Sequence, residues 1–62
     1  MRVTYRDRVW IFDEPLVAAR MLELVDVLPE SVLIVREGRL VVLDQQLDID
    51  DEVSLFSVIT GG

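Results

Sequence analysis

Apolar and polar residues alternate from the first position. Met1, Val3 and Tyr5 stand against Arg2, Thr4 and Arg6, which is the period of a half-buried strand. Arg6-Asp7 marks a two-residue turn, although neither residue is the Gly or Asn that such turns favour, and residues 8–13 form the return strand. That turn sets the register: Tyr5 opposite Arg8, Val3 opposite Trp10, Met1 opposite Phe12. Partners across a ladder share a face, so Trp10 and Phe12 turn inward with Val3, while Val9 and Ile11 turn outward. A helix follows. Pro15 suits a first helical turn, Asp13 and Glu14 sit where a helix dipole favours negative charge, and Ala18, Met21, Leu22 and Val25 have the i, i+3, i+4, i+7 spacing of a buried face. Leu24 lies off that stripe. The pattern predicts a helix from Pro15 to about Asp26, ahead of Pro29.

The second half reads as strands. Val32-Leu33-Ile34-Val35-Arg36 is nearly continuous in apolarity, as in a central strand covered on at least one face. Glu37-Gly38 is a turn signal, and residues 39–43 form a further short strand. Residues 44–52 are acidic and irregular, with Leu47 and Ile49 as anchors to the core. Residues 53–59 form the last strand. Its side chains alternate, so Val53, Leu55 and Ser57 point inward and Phe56 and Val58 outward. The opposite parity would put Phe56 in the core. With Val9 and Ile11, Phe56 and Val58 make a candidate apolar patch, and exposed patches of this kind mark interfaces. A hairpin, a crossing helix and further strands give an α+β arrangement. If the first and last strands pair in parallel at the centre, with the helix packed across one face of a mixed sheet of four to five strands, the fold is a β-grasp. Residues 1–62 then form a single domain with 60–62 as its tail.

Composition narrows the chemistry. A chain of 62 residues that is 52% hydrophobic has enough apolar material for one core and is too apolar for disorder. It has no cysteine and no histidine, so neither disulfides nor thiolate or imidazole ligation of a metal is available. Ser31, Ser54 and Ser57 have no base to activate them, and no glycine-rich phosphate loop is present. No side chain is therefore assigned a catalytic role, and an independent enzyme is not expected. The net charge of −6 gives no reason to seek nucleic acid, whose binding rests on neutralised phosphates; a basic protein partner fits better. No apolar run approaches the roughly 18 residues of a membrane span, no signal peptide is visible, and the expected location is the cytoplasm. Asp48, Asp50, Asp51 and Glu52 invite a calcium reading but lack the spacing and central glycine of an EF-hand loop; a solvated turn is the simpler account.

The strongest chemical signal is the end, Gly61-Gly62. Chance alone would place Gly-Gly there on the order of one time in 200. Without Cβ atoms such a tail is thin and adopts conformations closed to other residues, so it can thread a channel and present its terminal carboxylate in another protein's active site. A carboxylate is a poor electrophile and needs activation, for example as an acyl-adenylate; sulfur transfer then gives a thiocarboxylate. A frayed end accounts for the same residues without any function.

The ending Glu52-Val53-Ser54-Leu55-Phe56-Ser57-Val58-Ile59-Thr60-Gly61-Gly62 resembles the C-terminus of the ThiS and MoaD-type sulfur carriers, which close with an acidic turn, an apolar strand, a small residue and Gly-Gly. The resemblance extends along the chain: Tyr5 to Trp10 is similar to the opening hairpin, Met21-Leu22 to the paired leucines on the helix, and Arg36-Glu37-Gly38 to the mid-chain turn. It implies a ubiquitin-like β-grasp fold. It also implies a partner related to ubiquitin-activating enzymes that uses ATP and magnesium to adenylate Gly62, with no cofactor bound by the carrier itself. A sulfur donor then makes the thiocarboxylate, with Gly61 and Thr60 as the approach and Phe56 as the hydrophobic contact near the tail. The sulfur acceptor that the resemblance implies is a thiazole synthase of thiamine biosynthesis, a tRNA thiolase making 2-thiouridine, or molybdopterin synthesis; the Leu-Phe-x-Val-Ile-x-Gly-Gly ending is most like ThiS. Three departures stand out: Asp26 replaces the usual Gly after the helix, Arg6-Asp7 the common Asn-Gly, and Val17 the small N-cap Thr. Two other functions compete with the carrier, a ubiquitin-like modifier joined to lysines and a plain binding module with an incidental tail. The absence of lysine leaves fewer amines for an activated acyl terminus to attack, though a bias toward arginine explains it equally well.

Overall fold

The computed structural model describes residues 1–58. Strand β1 (Arg2–Tyr5) and strand β2 (Arg8–Ile11) form the opening hairpin, with Val3 opposite Trp10 and Tyr5 opposite Arg8 as the alternation predicts. Arg6 takes the left-handed conformation at the turn, φ 57°, at a cost of about 1–2 kcal/mol for a residue with a Cβ. Two cation–π contacts flank it: the Arg6 guanidinium lies 5.2 Å from the centre of the Tyr5 ring and that of Arg8 4.9 Å from the Trp10 ring. The ladder runs one residue past β2, where Phe12 N–H donates to Met1 O at 2.9 Å and the Met1 ammonium donates to Phe12 O at 2.7 Å.

The helix is shorter than the sequence predicts. It spans Ala18–Leu24 (α1), and Leu16–Val17 ahead of it form a strand, β3. Leu16 is buried and pairs with Leu47; a long-range ladder outcompetes the local helix signals of Pro15 and its acidic neighbours. Asp13 and Glu14 consequently lie outside the first turn, which holds no acidic residue. Val17 is the N-cap and offers no side-chain bond. Instead, the orphan N–H groups of Ala18 and Ala19 donate to Gln45 O and Leu43 O, each at 2.9 Å, so tertiary carbonyls satisfy the helix start. At the other end Asp26 is left-handed, φ 60°; its N–H donates to Glu23 O and that of Val27 to Leu22 O, the paired bonds of a Schellman ending.

After a short 3₁₀ turn at Pro29–Ser31, β4 (Val32–Arg36) and β5 (Arg39–Leu40) form a second hairpin. Glu37 and Gly38 both have positive φ, 53° and 75°, the type I′ geometry that matches strand twist. β5 stops at Leu40, short of the expected 43, because the chain turns away to bring Gln45 and Leu43 to the helix start. Within the stretch expected to be irregular, Gln46–Leu47 form β6, paired with β3. Leu47 is fully buried, as predicted, whereas Ile49 is 47% exposed and is no anchor: its contribution is its carbonyl, which accepts a hydrogen bond from the Met1 ammonium. The last strand, β7, spans Glu52–Ser57.

The main sheet has the order β2-β1-β7-β4-β5. β1 and β7 are parallel, with Val3 beside Val53 and Tyr5 beside Leu55; β7 and β4 are antiparallel, with Leu55 opposite Ile34 and Phe56 opposite Leu33. β7 is thus the central strand, and β4 lies one place toward the edge. The molecule is a small α+β protein whose first and last strands meet in the middle of a mixed sheet. Its core joins inward residues of the sheet (Val3, Val53, Leu55, Val32, Ile34) to Ala18, Met21 and Leu22 of α1 and to Leu16 and Leu47 of the small ladder. Trp10 and Phe12 pack against this core, partly buried.

Candidate partner-binding surface

The outer face of the sheet is built from the residues between the core positions. On β7, Val53 and Leu55 are buried, while Phe56 is 54% exposed and Val58 39%; the outward assignment of Phe56 and Val58 agrees with the structure. Val58 follows the strand, and its N–H donates to Ser31 O at 3.0 Å. Ser57, expected inward, is exposed, since the core ends at Leu55. Val9 and Ile11 are exposed on β2, again as expected.

These four residues do not form one patch. β1 lies between β2 and β7, so Val9 is separated from β7 by Thr4 and Ile11 by Arg2. Neighbouring strands are about 4.8 Å apart, which puts Val9 and Ile11 about 10 Å from the β7 backbone with polar side chains between. The apolar neighbour of Phe56 is Leu33, directly opposite on β4 and exposed. In the next row Val35 stands opposite Ser54, and Leu40 opposite Val35. The outer face therefore holds an apolar strip on β7, β4 and β5 and a separate pair on β2. Leu33 and Leu40 were not singled out from the sequence, because β4 is apolar at successive positions and carries no alternation to read. A shallow depression of about 310 Å³, lined by Thr4, Arg6, Ser54, Phe56 and Ser57 among others, lies at the C-terminal end of β7.

The start of β7 is fixed by Asp51. Its Oδ2 accepts the Asp48 N–H at 2.7 Å and Arg36 Nη1 at 3.0 Å. The hydrogen bond from Asp48 and the Arg36 guanidinium hold this carboxyl below its ordinary value of 3.8, against an opposing contribution from partial burial. The backbone of the same residue joins in, with Asp51 O accepting from Arg2 N–H and Asp51 N–H donating to Asp48 O. Asp51 thus closes the acidic turn and ties it to β1 and β4. Among the described residues no group of three or more acidic, His or Cys side chains is placed to hold a metal ion, and no helix is long and apolar enough to cross a membrane.

Thr60, Gly61 and Gly62, the residues to which the sequence assigns the tail chemistry, lie outside the described residues. No protein-family model matches the chain, and no curated protein matches its sequence.

Proposed function

We propose that this chain is a β-grasp sulfur carrier of the ThiS/MoaD kind, with the carboxylate of Gly62 as its working group. The observation that carries the reading is the sequence ending: Gly61-Gly62 follows the central strand β7, which ends at Ser57, after three intervening residues. The parallel pairing of first and last strands at the centre of the sheet supports the fold part of the reading. The exposed Phe56 and Leu33 support a contact surface on the outer face of the sheet.

In the proposed cycle a partner enzyme binds the outer face and takes the tail. The Gly62 carboxylate attacks the α-phosphate of magnesium-bound ATP, giving the acyl-adenylate and pyrophosphate. A sulfur donor of the persulfide class then attacks the acyl carbon and AMP leaves. Reductive cleavage of the resulting acyl disulfide by a thiol frees the thiocarboxylate, whose sulfur passes to the acceptor enzyme. The carrier contributes no acid, base or nucleophile beyond its own terminus. The acceptor favoured by the ending is a thiazole synthase, with tRNA 2-thiouridine and molybdopterin synthesis as the alternatives, and the cytoplasm is the compartment for all three. The test is mass spectrometry of the protein isolated from its host. The expected gain is that of one sulfur replacing one oxygen at the C-terminus, and deletion of Gly62 should abolish it while leaving the fold intact. Sulfur transfer by a chain lacking Gly62 would overturn the proposal, and conjugates on lysines of other proteins would point to a modifier.

A further inference from the structure

β4 has an incomplete outer edge. Pairing with β5 covers Val35 and Arg36, and one further bond runs from Val41 N–H to Ile34 O at 2.8 Å. There the ladder ends, because residues 42–45 leave the sheet for the start of α1. Groups alternate sides along a strand, so Ile34 N–H and Val32 O face the same edge as Ile34 O, and among the described residues no backbone bond crosses that edge to them. The two groups flank Leu33, the spacing that one residue of a parallel strand satisfies at once. Beside them lies a groove of about 460 Å³ lined by Pro29, Leu33, Leu40, Val42, Leu43 and, at its only charged position, Asp44. Exposed strand edges are usually blunted by charge or by covering chain; beside this one the groove is apolar, with Leu33, Leu40 and Val42 exposed along it.

We propose that this edge receives an extended segment of a partner protein, apolar at alternate positions and basic at its flanks, as an added strand. The free donor and acceptor specify an extended backbone, and the groove takes the side chains on one face of it, which is how strand addition divides affinity from specificity. The charge of the guest follows from Asp44 and from the net charge of −6. A second copy of this chain is disfavoured for the same reason, since two such edges bring like charges together. The groove shares Leu33 and Leu40 with the outer-face strip, but Phe56 does not line it, and the site does not depend on any chemistry at Gly62.

The probe is a synthetic peptide, Arg-Arg-Val-Thr-Val-Thr-Arg-Arg, titrated into the isotope-labelled protein. In the free protein the Ile34 amide should exchange with solvent much faster than that of Leu33, which faces β7. Peptide should slow Ile34 by about tenfold and shift resonances at 29–34 and 40–44. Val42→Lys, at an exposed position, removes an apolar contact and adds a like charge, and should weaken binding about tenfold, as should N-methylation of the central peptide residues or exchange of the flanking Arg for Glu. An Ile34 amide already protected in the free protein, peptide shifts confined to the Phe56 face, no binding at millimolar peptide, or a dimer formed through β4 without peptide would each overturn the proposal.

Discussion

The two faces of the sheet are made by the same strands and do opposite things. On the inner face Val3, Val53, Leu55, Val32 and Ile34 are buried with the helix. On the outer face Thr4, Ser54, Phe56, Leu33 and Val35 alternate with them, and the large apolar ones, Phe56 and Leu33, remain exposed. Consecutive residues of β7 therefore belong to different faces: Leu55 holds the fold, and Phe56 is left exposed. A chain this small has no spare layer in which to separate the two tasks, and the two-residue period of the strand separates them instead.

The largest effect is expected on the inner face. Leu55→Ala, or Leu22→Ala on the facing helix, removes a side chain from the packed core and should cost about 2–5 kcal/mol. That is a large part of the stability of a domain this size, about 5 kcal/mol by the per-residue scale. Chemical denaturation should show a midpoint shifted far toward zero denaturant or a chain unfolded without it. If Leu55→Ala is tolerated as easily as Phe56→Ala, the division between the faces is wrong.

Next comes Asp51, which anchors the start of β7 to Arg36 and to the 48–51 turn. Its carboxyl titrates below the ordinary 3.8 when folded. It therefore contributes stability in full above that ordinary value and loses it as the pH falls through the lower folded value. Asp51→Asn should cost about 1–2 kcal/mol near neutrality and flatten this part of the acid limb of a melting-temperature profile. An unchanged acid limb would remove Asp51 from its anchoring role. A smaller, opposite effect is expected at Glu37, which is exposed and left-handed. Glu37→Asn gives the Asn-Gly pair that type I′ turns prefer and should raise stability by about 0.5 kcal/mol. The turn belongs to neither face, so partner activity should not change.

How much of this was legible depended on whether alternation was present. The β1–β2 register, the parity of β7 and the burial of Leu47 all follow from local patterns, and so do the end of the helix near Asp26 and the turn at Glu37-Gly38. The helix start was not legible. Pro15, Asp13 and Glu14 imitate an N-terminus, while the residues that claim Leu16–Val17 lie thirty positions away at Gln46–Leu47. Ile49 looked like an anchor because it is apolar within an acidic stretch, but the tight 48–51 turn leaves its side chain in solvent. On the candidate surface, Phe56 and Val58 could be read from the strand period. The gap between them and Val9 and Ile11 depends on strand order, which period alone does not contain. Leu33 and Leu40 were hidden by the uniform apolarity of β4 and the shortness of β5.

The smallest effect on stability is expected where the effect on function is sought. Phe56→Ser removes an exposed ring that completes no core contact, so denaturation should shift by no more than about 0.5 kcal/mol. The same change removes an aromatic anchor from the proposed contact surface, and truncated anchors of that kind commonly cost about 1–2 kcal/mol of binding. If the chain is the proposed carrier, kcat/KM for adenylation of Gly62 by its activating partner should therefore fall about tenfold or more, through KM, with kcat preserved because the tail chemistry is untouched. Leu33→Ser, directly opposite, should do the same, and the double variant should lose less than the sum, since the two side chains share one contact. Val9→Ser and Ile11→Ser should fall short of both if the polar row of Arg2 and Thr4 divides the face. Equal losses at Val9 and Phe56 would mean that the partner spans β1, and that the outer face acts as one surface.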